Sequence, residues 1–196
     1  MEALTKVLYW ISTGLMVPVI IFLIAMFVKA ILVLGKFYGD YVNKMRFRKE
    51  LQTVLAKADK SNIVELIDID KYKAKSNILP ALQQLHLNNQ SIPHCEKAIA
   101  DFEIEADRDL GQSKTLTKIG PMLGLMGTLI PMGPALVGLA TGDIASMAQN
   151  MQVAFATTVV GILIGAIGFI TLQIKQRWYT EDLNQLDFIV ELFKNK

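Results

Sequence analysis

Thr128, Thr157 and Thr158 lie in two apolar stretches, GPMLGLMGTLIPMGPALVGLA (120–140) and AQNMQVAFATTVVGILIGAIGFITL (148–172), that carry no ionisable side chain. Their hydroxyls are the chemistry available there. Taken singly, each hydroxyl is expected to bond back to its own helix, as membrane Ser and Thr commonly do. Taken together, on the small-residue sides of two neighbouring helices, they read as lining a shared polar track. A path for protons along such a track needs a titratable carrier, and a membrane carboxylate is the usual one. Neither stretch has one: Asp143 falls in the turn between them, Lys118 at the inner mouth, and Lys29 at the inner end of an earlier apolar run, where it can snorkel. If ions move here, the carboxylate comes from a partner.

The elements that position these threonines follow from periodicity. Steps of three and four along the first stretch give Gly120, Gly124, Gly127 or Thr128, Pro131, Pro134 or Ala135, and Gly138; along the second they give Ala154, Thr158, Gly161, Gly165 and Gly168. Each helix has a thin side and a bulky side, and thin sides let another backbone come close. Gly120, Gly124, Gly127, Pro131, Ala154, Gly161 and Gly165 are therefore expected to pack helices or line a pore, with the thin sides turned toward a guest helix. Pro121, Pro131 and Pro134 each free a carbonyl, tolerable in a membrane only under cover of protein or water.

A third run, residues 10–34, is also long enough to cross a bilayer, for which roughly 20 residues suffice. It lacks a small-residue cleavage site and a basic leader cluster, so it reads as a retained helix rather than a signal peptide. Large side chains surround it on all sides, which suits a helix facing lipid. Mean hydropathy is +0.36, and 52% of the 196 residues are hydrophobic against 19% charged. That mixture requires membrane and aqueous parts to be segregated. The formal charge of +2 says little; its placement says more. Lys36, Lys44, Arg46, Arg48 and Lys49 follow the first run, Lys114 and Lys118 precede the second, and Lys175 and Arg177 follow the third. The positive-inside rule puts the N-terminus outside and the long loop and C-terminus in the cytoplasm.

The expected order is an extracytoplasmic N-terminus (1–9), a first transmembrane helix (10–34), a small cytoplasmic helical domain (35–114), a second transmembrane helix (115–140), an outer turn (141–147), a third transmembrane helix (148–172) and a cytoplasmic stalk (173–196). Within the loop, Val42 to Lys57 reads as a basic amphipathic helix, Ser61 as the cap of a short one holding Ile63, Val64, Leu66 and Ile67, and Asn77 or Leu79 with Pro80 as the start of another. From Ser91, with Pro93 in the first turn, one long helix is expected to run from the cytoplasm into the second span. The stalk stripe of Tyr179, Leu183, Leu186, Val190 and Phe193 predicts packing against a neighbour.

Cys95 stands alone, which excludes an internal disulfide and a thiolate cluster; with His86 and His94 the only histidines, no metal site and no cofactor are expected. The Arg46–Lys49 run abuts a membrane helix and reads as a topology signal that touches anionic lipid, not as a nucleic-acid surface. No nucleophile and base pair can be assembled, so no enzymatic activity is expected.

The block from Lys118 to Phe169 resembles the MotA/TolQ/ExbB proton-channel family, in the three-span layout of TolQ and ExbB. GPMLGLMGTL is similar to that family's P-x-x-G-L-x-G-T signature, and AFATTVVGILIGAIGF to its A-L-x-T-T-x-x-G-x-x-x-A-I pattern. After Gly127 and Thr128 the chain departs from the family with Ile130, Pro131, Met132, Gly133 and Pro134. The resemblance implies an all-α membrane protein forming a homopentameric ring around the membrane helices of an ExbD/TolR/MotB-like dimer. It also implies a partner aspartate that carries the ion, faced by Thr128 and Thr158, and ion flow that drives mechanical work across the inner membrane. A non-conducting oligomeric scaffold is the alternative; a solute transporter would need charged groups at mid-membrane.

Overall fold

The computed structural model describes residues 2–55, 77–88 and 91–194, and every regular element among them is a helix. In chain order these are α1 (Glu2–Gly14), α2 (Met16–Leu55), α3 (Leu79–Leu87), α4 (Ile92–Thr141) and α5 (Ile144–Lys194). The short helix expected after Ser61 lies outside the described residues. Three stretches are long and apolar enough to cross a bilayer: Lys6–Met45, which takes α1 and α2 together, then α4 and α5. At 50 and 51 residues, α4 and α5 are each about 75 Å long, more than twice the hydrocarbon thickness of about 30 Å. The chain is an all-α, multi-pass membrane protein.

Local chemistry accounts for the boundaries. Pro18 has no amide hydrogen and its ring crowds the carbonyl of Gly14, so the helix is interrupted at Leu15, whose amide is shared between the Ile11 and Ser12 carbonyls. Between α4 and α5 the turn is only Gly142 and Asp143, not the seven residues 141–147 expected from sequence. Gly142 adopts φ +76°, a left-handed conformation open to glycine at no steric cost. The Asp143 amide then bonds back to the Gly138 carbonyl and the Gly142 amide to Leu139, a Schellman closure of α4. The Asp143 carboxylate accepts the Ser146 amide at 3.0 Å, capping α5 in turn. Polar residues in the apparent loop thus extend α5 by one turn.

The chain divides into two compact units: residues 1–34 with 112–172, and residues 35–111 with 173–196. The first has a core of Leu23, Met26, Ala30 and Val33 from α2 against Leu116, Leu123 and Ile164. This corrects the expectation of a first span without a packed face. Val19, Leu23, Met26, Ala30 and Val33 are all buried and step by four and three, a coiled-coil seam; Ile21, Phe22, Ile24, Val28 and Leu32 remain exposed. The second unit buries Ile78, Leu82 and Leu85 with Phe102, Leu186, Ile189, Val190 and Phe193. Phe102 meets Tyr179 edge-on at 5.9 Å. In the stalk stripe, Tyr179, Leu186, Val190 and Phe193 are buried and Leu183 is half-buried.

Candidate functional site: the glycine seam and its threonines

The seam between α4 and α5 is built from residues with almost no side chain. A Cβ added to Gly161 would lie 2.6 Å from Gly124 Cα, 2.8 Å from the Gly120 carbonyl oxygen and 2.9 Å from the Gly124 nitrogen. One added to Gly120 would strike Ile164 at 2.7 Å, one on Gly165 would strike Pro121 at 2.6 Å, and one on Gly168 would come within 2.5 Å of the Thr117 nitrogen. Gly127 faces Thr157, again at 2.6 Å. Close backbone approach is what small residues permit in a membrane, where van der Waals contact replaces the hydrophobic drive.

The thin sides expected to receive a guest helix are therefore filled by each other within one chain. Gly120, Gly124, Gly127, Gly161 and Gly165 sit in this intrachain seam. Pro131 and Ala154 are buried as well. The seam takes its form from antiparallel pairing. A two-residue turn brings α5 straight back along α4, so the two small stripes meet each other.

The three threonines part company. Thr157 is buried at 6% exposure against Gly127, and its hydroxyl donates to the carbonyls of Val153 at 3.0 Å and Ala154 at 2.9 Å. Thr128 and Thr158 are only half-buried. Thr128 donates to the Leu125 carbonyl at 2.7 Å and Thr158 to that of Ala154 at 3.1 Å. Thr158 Cα lies 3.5 Å from where a Gly124 Cβ would sit, and Thr128 is one turn beyond Gly124 on α4, so the two half-open threonines flank the same part of the seam. Each hydroxyl proton is used by its own helix, which leaves the oxygen lone pairs as the outward-facing function.

Further along, Ser113 and Thr171 are both fully buried, and their hydroxyls meet at 3.1 Å. Thr171 also bonds the carbonyls of Ile167 and Gly168, and Thr117 that of Ser113. Two hydroxyls in the same register of an antiparallel pair are a polar staple that the small-residue count alone does not reveal.

In the second unit the structure assembles charges that the sequence offered only as topology signals. The Asp109 carboxylate accepts from Lys175 at 2.6 Å, from the Tyr179 hydroxyl at 3.0 Å and from Lys36 at 3.4 Å. Asn77 donates its side-chain amide to the Tyr179 oxygen at 2.9 Å. Lys44 pairs with Asp182, both side chains being nearly buried. All of these groups but Lys36 line a pocket with Asp40 and Trp178, and Trp178 stacks on Phe37 at 5.5 Å. Burial by itself would raise the Asp109 carboxyl; the hydrogen bond and charge of Lys175, helped by Tyr179 and Lys36, outweigh it and hold the group below its usual range. Burial first, then the Asp109 charge, push the Tyr179 phenol upward. The signal for this cluster was present but diffuse, because Asp109 is 66 residues from Lys175 and 70 from Tyr179 in sequence. No group of three or more His, Cys, Asp or Glu side chains suited to a metal occurs among the described residues.

A seam of glycines on two long helices, flanked by threonines and free of charge, is accompanied by a direct sequence match. Residues 46–187 fit the model of the MotA/TolQ/ExbB proton channel family. The chain belongs to that family. A 61-residue stretch is also 38% identical to a putative biopolymer transport protein ExbB homolog of Methanothermobacter thermautotrophicus, covering 31% of this chain and 22% of that protein. The chain therefore matches less than a quarter of that relative's length. The family match, by contrast, takes in α3, all of α4 and most of α5, including every glycine and threonine of the MotA/TolQ/ExbB seam described above.

Proposed function

We propose that this chain is a non-enzymatic, proton-conducting stator subunit. It surrounds the single-span helices of a partner dimer of the ExbD/TolR/MotB type, as a homopentamer, and couples ion-motive force to mechanical work or energised transport across the envelope. It resides in the inner membrane with the N-terminus outside and the C-terminus in the cytoplasm, following the lysine and arginine bias. The observation that carries this reading is the pair of half-buried threonines, Thr128 and Thr158, beside Gly124 in a span without a carboxylate.

Their hydrogen bonding gives the reading a chemical content. Because Thr128 and Thr158 donate inward to Leu125 and Ala154, they offer a visiting group only acceptors. A protonated carboxylic acid can donate to such an oxygen, whereas a carboxylate gains nothing and bears the full cost of desolvation. The pair thus favours the neutral, proton-loaded form of a partner aspartate at mid-membrane and releases it when that aspartate ionises. Thr157 supports this from behind by holding α4 and α5 at the spacing that Gly127 sets.

The test is proton flux in vesicles holding the chain and its single-span partner, with assembly monitored separately. Thr158→Val and Thr128→Val remove one acceptor each while keeping shape. A lost hydrogen bond between neutral partners is worth about 0.5–1.5 kcal/mol, so flux is expected to fall by about two- to tenfold with assembly intact. Unchanged flux and coupled work in assembled double variants would reject the ion-path role. Assembly without any flux in the unmodified pair would favour the non-conducting scaffold.

A further inference from the structure

On α2 the second unit begins at Gly35, two residues past Val33, the last member of that helix's buried seam. From Gly35 to Met45 no residue is buried. Over this stretch α2 meets α5 through one stripe, Phe37, Tyr41 and Lys44, spaced by four and three. Phe37 stacks on Trp178 at 5.5 Å, Tyr41 tilts against the same indole at 5.8 Å, and Lys44 pairs with Asp182. On the other side Tyr38, Val42 and Met45 are exposed. The rest of the unit differs: α3, α4 and α5 bury Leu82, Phe102, Leu186 and Ile189.

The stripe therefore holds without aliphatic packing. A buried ion pair surrenders the hydration of both charges, which can cancel their attraction; when the stripe parts, Lys44 and Asp182 regain water. Asp109 then loses Lys36 but keeps Lys175 at 2.6 Å and Tyr179 at 3.0 Å, so the contact between α4 and α5 survives without α2. Segments with few buried apolar contacts are the ones that open first. The root of this one is also made to bend. A Cβ on Gly35 or Gly39 would meet nothing within 4 Å, so neither glycine makes room for a neighbour. Both lie inside a helix, where glycine contributes backbone freedom at the expense of stability and where bends of long helices concentrate.

We propose that residues 36–45 of α2 are a hinged strap, latched to α5 by Phe37, Tyr41 and Lys44 and able to swing away on Gly35 and Gly39. What it covers is the polar cleft of the second unit, walled by Asp40 and Lys44 from the strap and by Asp109, Lys175, Tyr179 and Asp182 from the helices opposite. Latched, the strap keeps Asp182 nearly buried and adds Lys36 to the partners of Asp109. Swung away, it opens the cleft to water along its whole α2 wall. The opposite wall stays as it is, because the Asp109–Lys175 pair and the aliphatic row of α5 owe nothing to the strap.

Double electron–electron resonance tests it on the full chain with Cys95→Ala in phospholipid vesicles, diluted with unlabelled chain so that distances within one copy are read. One nitroxide pair bridges strap and α5, at Val42→Cys and Asn184→Cys; a control pair bridges α4 and α5, at Asp101→Cys and Asn184→Cys. All three positions are exposed. Expected are two populations for the strap pair and one narrow distance for the control. Phe37→Ala, which removes the stack, is expected to raise the open population by about two- to tenfold. Lys44→Met, which leaves Asp182 enclosed without its lysine, is expected to raise it by about tenfold or more. Gly35→Ala together with Gly39→Ala, for which there is room, is expected to lower it by about fivefold or more, with the control distance fixed throughout. A single narrow strap distance that neither latch variant alters would overturn the strap. Open populations indifferent to the two alanines would overturn the hinge, and a control pair that broadens together with the strap pair would show the whole unit loosening and refute the proposal.

Discussion

The glycines of the two units differ in what surrounds them. Along the seam of the first unit, a Cβ on Gly120, Gly127, Gly161, Gly165 or Gly168 would collide with the opposing helix and one on Gly124 would be tight at 3.1 Å, although Gly14 and Gly142 of that unit are open; in the second, a Cβ on Gly35, Gly39 or Gly111 would meet nothing within 4 Å. The same two helices, α4 and α5, run through both units but are held by different forces. In the first, contact is backbone on backbone, with no charge and little hydrophobic drive available from lipid. In the second, ion pairs and large aliphatic side chains do the holding: Asp109 with Lys175, Lys44 with Asp182, and the buried row of Leu186, Ile189, Val190 and Phe193. A glycine is informative about packing only where its missing side chain is needed.

The largest effect that would break this contrast is at Gly161. Its added methyl would meet three backbone atoms of α4, none of which can rotate away, so the helices must part. Overpacking ordinarily costs about 1–3 kcal/mol; Gly161→Ala is expected at about 3 kcal/mol or beyond, read as a lowered midpoint in detergent unfolding and loss of the α4–α5 pair. Toleration of alanine here would mean the seam is looser than described.

The second unit should respond to charge instead. Lys175→Met leaves Asp109 with Tyr179 and Lys36, so the loss is expected below the usual 3–5 kcal/mol for a broken buried pair, at about 2 kcal/mol. It carries a pH signature. Asp109 is held below its usual range, so its contribution is complete above the ordinary carboxylate pKa of about 3.9 and is lost as pH falls through the lower folded value. In Lys175→Met that acid-side loss should shrink. Equal acid sensitivity in the two proteins would remove Asp109 as the cause.

Much of this architecture was legible in the chain. Three apolar runs gave three spans, and the absence of helix breakers from Pro93 to Gly111 gave the entry of α4. The two small-residue stripes were legible too, but not what they face. Periodicity reports that one side of a helix is thin and is silent on whether the partner is a guest or the same chain's next helix; here the two-residue turn at Gly142 decides it. The packed side of α2 was hidden because Leu23, Met26 and Val33 resemble the lipid-facing residues around them. The Asp109 cluster was hidden because charges near a membrane boundary serve topology equally well, and only the helix register places Lys175 against Asp109 and not in water. The break at Leu15 was written in Pro18, inside a run whose hydropathy alone draws a single span.

The smallest effect is also the sharpest discriminator between the two sets of glycines. Gly111 lies inside α4, in the second unit, with open space where a Cβ would go and no left-handed backbone to protect, since Gly142 is the positive-φ glycine among the described residues. Glycine inside a helix costs about 0.5–1 kcal/mol relative to alanine because the unfolded chain is more disordered. Gly111→Ala should therefore raise stability by up to about 1 kcal/mol in the same unfolding assay that registers Gly161→Ala as a large loss, and Gly39→Ala should do likewise in α2. Opposite signs from one chemical change follow directly from contact in one unit and space in the other. A loss at Gly111 as large as that at Gly161 would mean that the second unit also depends on close backbone approach there, and the division of labour between glycine seam and charge cluster would fail.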